Sequence, residues 1–399
     1  MAERLLIVVA GGIGAMPFAG VAWQVLQYLE GFRRLGHEVF YLEDTRRWPY
    51  DPDQETVSDD ASAPVAYVRR LLERVGLGNC WAYRDVVQDG RVHGVSEEQL
   101  HRTLASAHAL VNVSGVTALR DAQLEVPVRI YLETDPVLPQ IEVDQGNEFT
   151  IDLLAAHTHH FTYGANLNAP ECPLPPGRFS YHATRPPVVL DWWAPLEGDF
   201  ADRPFTTVSN WEQTDKDVEW QGRLHRWSKH REFERFLDLP AAVERPLELA
   251  LALDDEDTIA RIEAAGWRVV PARPLSKDVD LYRDYIRSSA GEFSVAKEQY
   301  VRFRSGWFSD RTACYLAAAK PAVVQDTAFD CALPTGDGLF AFESIDDIVA
   351  AFAAIDADYA RHSAAARALA EEYLSSDIVL ARLLEDAGLP AGNAPADAR

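Results

Sequence analysis

The sequence predicts an α/β protein made of two Rossmann-like, doubly wound domains that face each other across a cleft. Three observations carry that prediction. Strand-length apolar runs alternate with amphipathic helical stretches through both halves of the chain, the pattern of parallel sheets covered on both faces. At 399 residues the chain is too long for one ordinary core, and 47% hydrophobic residues suffice for two. Between the halves, Ala169 to Pro187 contains Pro170, Pro173, Pro175, Pro176, Pro186 and Pro187, which excludes a helix or a central strand. The expected division is a first domain over 1–187, a linker over 188–204 and a second domain over 205–375. The last helix and tail, 376–399, are candidates to cross back to the first domain.

Charge narrows the function classes. Lys plus Arg at 38 against Asp plus Glu at 62 leave a net −24, which argues against nucleic acid or an anionic membrane as the main partner and for a cytoplasmic protein. Met1 to Arg4 run into LLIVVAGG, a buried strand and a glycine loop rather than a signal peptide, and no apolar run has transmembrane length. The four cysteines, Cys80, Cys172, Cys314 and Cys331, lack CxxC spacing and read as free thiols, and no zinc site is expected.

In chain order, Leu5 to Val9 reads as the first strand, Gly11, Gly12 and Gly14 as a flexible loop, Val21 to Leu35 as a helix closed by Gly36, and Glu38 to Leu42 as the second strand. A strand, a GxG loop, and Glu43 and Asp44 at the next strand's end also fit a dinucleotide site, but the third glycine of that fingerprint falls on Pro17. The Asp-rich stretch Trp48 to Ala63 is expected to be an exposed loop covering the cleft. Helices follow at Pro64 to Val75 and Ser96 to Ala105, then strands at Ala109 to Val113 and Val128 to Leu132 around a short helical stretch, Thr117 to Gln123.

The second of those strands ends in Glu133, Thr134, Asp135 and Pro136. Polar groups at a strand's carboxyl end suit binding or catalysis, and Asp135 is the first candidate for a general base, although Thr-Asp-Pro is also ordinary turn chemistry. Ile151 to Gly164 reads as a helix passing into a strand, with His157, His159 and His160 at the junction. These have neither HExxH nor i, i+4 spacing, so no metal is expected. His160 is the rival base, or equally a hydrogen-bonded structural histidine.

A strand at Val188 to Leu190 leads into the linker, and the second domain opens with a strand at Phe205 to Asn210, whose polar end, Ser209, Asn210 and Trp211, points to the cleft. Lys229 to Phe236 is a helix, with Trp227 and Phe233 expected as core. Strands at Leu247 to Leu253 and Trp267 to Pro271 then alternate with helices at Asp257 to Ala265 and Lys277 to Ser288. After the central block come a strand at Leu339 to Phe342 and helices at Ile345 to Ile355, Tyr359 to Leu374 and Asp377 to Ala387. Gly388 to Arg399 is expected to fray.

The block from Arg287 to Phe329 organises this half. Ser309 and Asp310 are good N-cap residues before an Ala-rich run, Arg311 to Lys320, that Pro321 stops. The free N–H groups at Ser309 to Thr312 form an anion site, to which Arg311, Lys297 and Arg304 would add donors. Pairing of Lys297 and Arg311 with Glu292 or Glu298 is the plainer alternative. AVVQDT is then a buried strand whose polar end, Gln325 and Asp326, suits a sugar.

This block resembles the donor half of GT-B glycosyltransferases. It is most similar to a bacterial group with the motifs GEFSVAK, SGWFSDR, YLAAG and QDTGF, matched here by Gly291 to Lys297, Ser305 to Arg311, Tyr315 to Ala319 and Gln325 to Phe329, with alanines for two of the pattern's glycines, Ala319 and Ala328. The resemblance implies the GT-B fold and transfer of a sugar from a nucleotide-diphosphate sugar, as co-substrate, to a small-molecule acceptor of secondary metabolism, with no metal or other cofactor. It implies donor contacts from Glu292, Lys297, Ser309, Asp310, Arg311, Thr312, Gln325 and Asp326, from Asn210, and from Gly12 and Gly14 across the cleft. A homodimer is compatible with it. A nucleotide-sugar-binding homologue that has lost transfer is the alternative that Ala328, beside the sugar pocket, keeps open, and an NAD(P)-dependent oxidoreductase is the third.

Overall fold

A computed structural model describes residues 3–175 and 177–392; Met1, Ala2, Pro176 and the segment from Asn393 onward, part of the tail expected to fray, lie outside them. Two sheets organise the chain. The first runs, edge to edge, through Tyr181–Ala183, His159–Thr162, Val128–Glu133, Ala109–Val113, Leu6–Ala10, Glu38–Glu43, Trp81–Asp85 and Arg91–Gly94. Every neighbouring pair is parallel except the last. The second runs through Arg268–Pro271, Leu247–Ala252, Phe205–Asn210, Gly291–Ser294, Ala322–Gln325 and Leu339–Phe342, parallel throughout. Helices cover both, so the central strands are apolar on both faces, as LIVVA and ALVNV are.

The helix after the first strand spans Ala19–Arg34 and ends where Gly36 takes a φ of 90°. The helix expected from Pro64 begins at Ser62, which leaves the proline in the first turn, where its missing N–H costs nothing. Val188 to Leu190 is not a strand. Val188 makes a single bridge to Ser375 and a 3-10 turn follows at Leu190–Trp193, because Pro186 and Pro187 lack the N–H groups a ladder needs. Among the strands that had not been expected are Trp81–Asp85 and Arg91–Gly94, joined through Asp89 and Gly90 at φ of 50° and 81°. Asp-Gly is a hairpin signal, and it is legible in the sequence.

The two halves pack closely on each other. The last helix, Ser376–Asp386, lies on the first, so near that a Cβ at Gly31 would come within 2.4 Å of Leu380. Trp23 Nε1 donates to the Val279 carbonyl at 2.9 Å, and Gly164 bridges Trp307 across the cleft. The Trp48 to Ala63 stretch forms a small hairpin, Tyr50–Asp51 with Thr56–Val57, that reaches the second half through Asp53 to Lys277 at 3.3 Å and Glu55 to Arg273 at 3.2 Å. Beyond the last helix, Gly388 to Gly392 does not fray: Leu389 N–H donates to the Leu384 carbonyl, and Ala391 lies against His37.

Candidate functional site

Ser309 caps the helix Asp310–Ala317, its hydroxyl accepting the Arg311 N–H at 3.2 Å. Thr312 to Ala317 are all buried, so the helix start is held rigidly at the cleft. Arg311 turns inward. Nε donates to Glu292 at 2.7 Å, Nη1 to the Val208 carbonyl at 2.6 Å and Nη2 to Ser294 Oγ at 2.8 Å. Burial alone would lower its pKa, and the Glu292 carboxylate reverses that. Arg311 thus ties two strand ends together while also lining the pocket at the helix start, and Glu292 is fully buried. The salt-bridge alternative describes this pair better than the donor-contact reading.

Lysines supply the positive face. The chain has five, Lys216, Lys229, Lys277, Lys297 and Lys320, and the first, second and fourth meet here. Lys229 is buried and forms no ion pair among the described residues. Burial, then the charges of Arg311 and Lys297, push its pKa well below the ordinary value. Lys297 and Lys216 sit over the Trp227 ring, at 3.3 and 4.2 Å from its centroid. Trp227 is buried, as the sequence suggested, and also serves as a cation platform. Burial pushes Lys297 down to about 8, against the upward pull of Asp135.

Asp135 arrives from the opposite half. Its carboxylate pairs with Lys297 at 2.9 Å and Lys216 at 3.4 Å and accepts a hydrogen bond from the Tyr300 hydroxyl. Burial alone would raise its pKa, but the two lysines and Tyr300 outweigh burial and hold it well below the carboxylate range. That corrects its expected role as base, because a carboxylate so stabilised as the anion accepts a proton poorly. His160 is corrected too: its Nε2 lies 2.9 Å from the Leu154 carbonyl, Phe179 and Tyr181 pack on its ring, and burial lowers its pKa. It is the structural histidine of the two readings. Glu133, beside Asp135 in sequence, receives Gln140 at 2.7 Å and Thr162 at 2.6 Å, and burial pushes it up to about 8.

The amides of the glycine loop are turned inward. Gly14 and Ala15 N–H donate to the two oxygens of Glu43 at 2.8 and 2.6 Å, while Ile13 N–H donates to the Tyr41 hydroxyl, which donates on to Glu43. The loop's anion is the chain's own carboxylate, buried and pushed up to about 7 by desolvation. Gly14 has no amide left for a donor phosphate, and its Cα is walled in by Tyr83, Pro64 and Val68. Both the dinucleotide reading and the donor role of Gly14 give way to this. Gly12 keeps an ordinary loop position near Met16 and Thr45.

Gln325 and Asp326 are also drawn into the scaffold. Gln325 accepts the Ala296 N–H at 3.1 Å and donates to Glu232 at 2.6 Å. Asp326 accepts the Ala328 N–H at 2.7 Å and pairs with Arg304 at 3.1 Å. Ala319 and Ala328, the two alanines that replace glycine in the motif, sit at φ of 58° and 68°. Asn210 is exposed at its strand's end, and burial raises the Asp310 carboxyl, with Asp135 near enough to add to the effect. The pocket among Ser294, Ala296, Ser309, Arg311, Thr312 and Gln325 measures about 20 Å³. A larger cavity of about 630 Å³ opens between Ala165, Ala183, Arg185 and Ala332 on one side and Ile378 and Arg382 of the last helix on the other.

No group of three or more His, Cys, Asp or Glu side chains that could hold a metal ion occurs among the described residues, and no helix among them is long and apolar enough to cross a membrane. Sequence reasoning missed Lys216 and Lys229. Their signal was scarcity: in a chain that uses arginine for nearly all its positive charge, a lysine is the unusual choice.

No protein-family model matches the chain, and no curated protein matches it. Solved structures do. HepE of Anabaena, in complex with UDP and glucose, superposes with a TM-score of 0.57 at 11% identity over 96% of this chain and 100% of its own. AviGT4, a glycosyltransferase involved in avilamycin A biosynthesis, gives 0.55 at 13% identity over 96% and 97%. An alpha-glucosyltransferase in complex with UDP and a 13-mer DNA gives 0.55 at 10% identity over 96% and 100%. With two parallel, helix-covered sheets facing each other and such neighbours along almost its whole length, the chain has the GT-B fold.

Proposed function

We propose that the protein is a glycosyltransferase that moves a sugar from a nucleoside-diphosphate sugar to a small-molecule acceptor. The observation that carries this is the unpaired, buried Lys229, set with Lys297 beside the capped start of Asp310–Ala317. Burial disfavours the ammonium form of Lys229, and a diphosphate beside it would favour that form and be stabilised by it. As the bond from the anomeric carbon to the diphosphate breaks and the acceptor's hydroxyl oxygen bonds to that carbon, its proton passing to the departing diphosphate or to water, negative charge grows on the diphosphate. The two lysines and the helix dipole stabilise that charge, so the reading asks for no metal. HepE and the alpha-glucosyltransferase, both in complex with UDP, make a uridine diphosphate donor the first to try.

The cavity of about 630 Å³ suits a small molecule and is the proposed approach for the acceptor. A net charge of −24 speaks against a nucleic-acid acceptor, although one neighbour is in complex with DNA, and for a cytoplasmic protein. The test is release of nucleoside diphosphate from UDP-, GDP-, ADP-, CDP- and dTDP-sugars, with and without added acceptors. Slow release from one of them, lowered about a hundredfold in Lys229→Met, is expected. Release that Lys229→Met leaves unchanged, or none from any donor, contradicts the proposal.

A further inference from the structure

We infer that Asp135 is an interdomain latch, holding through Lys297 and Lys216 the place of the donor's diphosphate, so that donor binding must break this contact between the two halves. The inference rests on the cleft being a nucleotide-sugar site.

The partners belong to opposite sheets. Asp135 follows the strand Val128–Glu133, whereas Lys216, Lys297 and Tyr300 belong to the second half. Both lysines lie over the Trp227 ring and both reach the Asp135 carboxylate, so two like charges sit close together. Such a pair needs an anion, and Asp135 is the one it has. The carboxylate is presented stiffly. Two residues on, Val137 is fully buried at a φ of 92°, a conformation that costs a β-branched residue energy and that persists only where its surroundings impose it. Those surroundings are Ile141 from its own half with Tyr300 and Phe303 from the other. Beside the latch, Trp307 Nε1 donates to the Thr134 carbonyl at 2.9 Å, and the pocket at the capped helix has room for little more than a water.

A diphosphate carries more charge than one carboxylate and enough oxygens to meet both lysines. Lys229, which Asp135 does not engage, is the cation left to receive it first. Binding then proceeds by exchange: the diphosphate takes Lys297 and Lys216, Asp135 is released, and the halves separate enough to admit the sugar. Asp135 is on this account a positioning residue that sets donor affinity.

The test is calorimetric titration of the tightest binder among UDP, GDP, ADP, CDP and dTDP into wild type, Asp135→Asn, Lys297→Met and the double variant. Asp135→Asn is expected to tighten binding about tenfold, since the competing closed state is weakened, and in the Lys297→Met background the same change should move affinity less than about twofold. A purely structural loss would weaken binding instead. Should Asp135→Asn not fold, Tyr300→Phe removes one donor to Asp135, keeps both lysines and is expected to tighten binding about threefold. Binding unchanged or weakened in the folded Asp135 variant, or in Tyr300→Phe, overturns the latch alone. If wild type binds none of the five, the donor-site reading falls and the latch with it.

Discussion

Each half of the molecule turns from strand to helix at the cleft, and each builds an anion site there, but the first half fills its own and the second does not. Around the glycine loop, Gly14 and Ala15 N–H close on Glu43, so the site is finished when the chain folds. At the capped helix, buried Lys229 lies near Asp310 and Arg311 and forms no ion pair among the described residues. A glycine loop after a strand is thus not a phosphate site where the next strand supplies a buried carboxylate. Positive charge without a partner is the better guide, because only a ligand can complete it.

The contrast is broken most sharply at Glu43. Glu43→Ala leaves two buried amides and the Tyr41 hydroxyl without an acceptor and should cost roughly 4 kcal/mol in urea unfolding, with no change in affinity for nucleoside diphosphates. A variant as stable as wild type would mean that the loop does not need its internal anion.

The same contrast predicts opposite responses to pH. Glu43 and Glu133 have folded pKa values raised to about 7 and about 8, so the stability they lend is full below the unfolded carboxylate value and is lost as pH rises through 7 to 8. For Glu43 this is on the order of 3 kcal/mol. Lys297 and Lys320, both in the second half, have folded values lowered to about 8, so the cost of their charged forms is relieved as pH rises from there toward the ordinary lysine value. Urea midpoints measured from pH 5 to 10 should fall and then rise. Glu133→Gln should flatten the fall and Lys320→Met the rise; a wild-type curve that climbs steadily contradicts the assignment.

Lys229→Met should weaken nucleoside-diphosphate binding about a hundredfold, equivalent to about 2.7 kcal/mol, while raising the melting temperature, since it removes a buried amine whose charged form burial disfavours. A loss of both affinity and stability would make Lys229 part of the scaffold instead. The smallest effect belongs to the two motif alanines. Ala319→Gly and Ala328→Gly relieve positive φ and should each stabilise by at most about 1 kcal/mol in the same unfolding assay, the gain from strain exceeding the entropy glycine loses. No gain at either position would mean that the left-handed backbone there carries no strain.

The fold was legible because its signals are local and periodic. Runs such as FTTVSN at Phe205–Asn210 and LFAF at Leu339–Phe342 coincide with the observed strands, and the helix at Ser309 shows its cap in the sequence. Gly291–Ser294 was passed over because Glu292 and Ser294 look exposed until Arg311, nineteen residues beyond Glu292, is seen to neutralise them. The site was less legible for the same reason. Whether Arg311, Gln325 or Gly14 faces a ligand depends on a partner distant in sequence, and in each case the fold had provided one. Lys297 was found for its place in a motif, but its pairing with Asp135 joins residues 162 positions apart, which no local pattern predicts.

The most direct measurement is the melting temperature of wild type and Lys229→Met against UDP, GDP, ADP, CDP, dTDP, NAD and NADP. A ligand at about a hundred times its dissociation constant adds about 2.7 kcal/mol, a shift easily read. One nucleoside diphosphate should stabilise wild type and fail to stabilise Lys229→Met, with NAD and NADP inactive on both. Stabilisation by NAD or NADP alone, unaffected by the substitution, would return the anion site to the glycine loop and contradict the account.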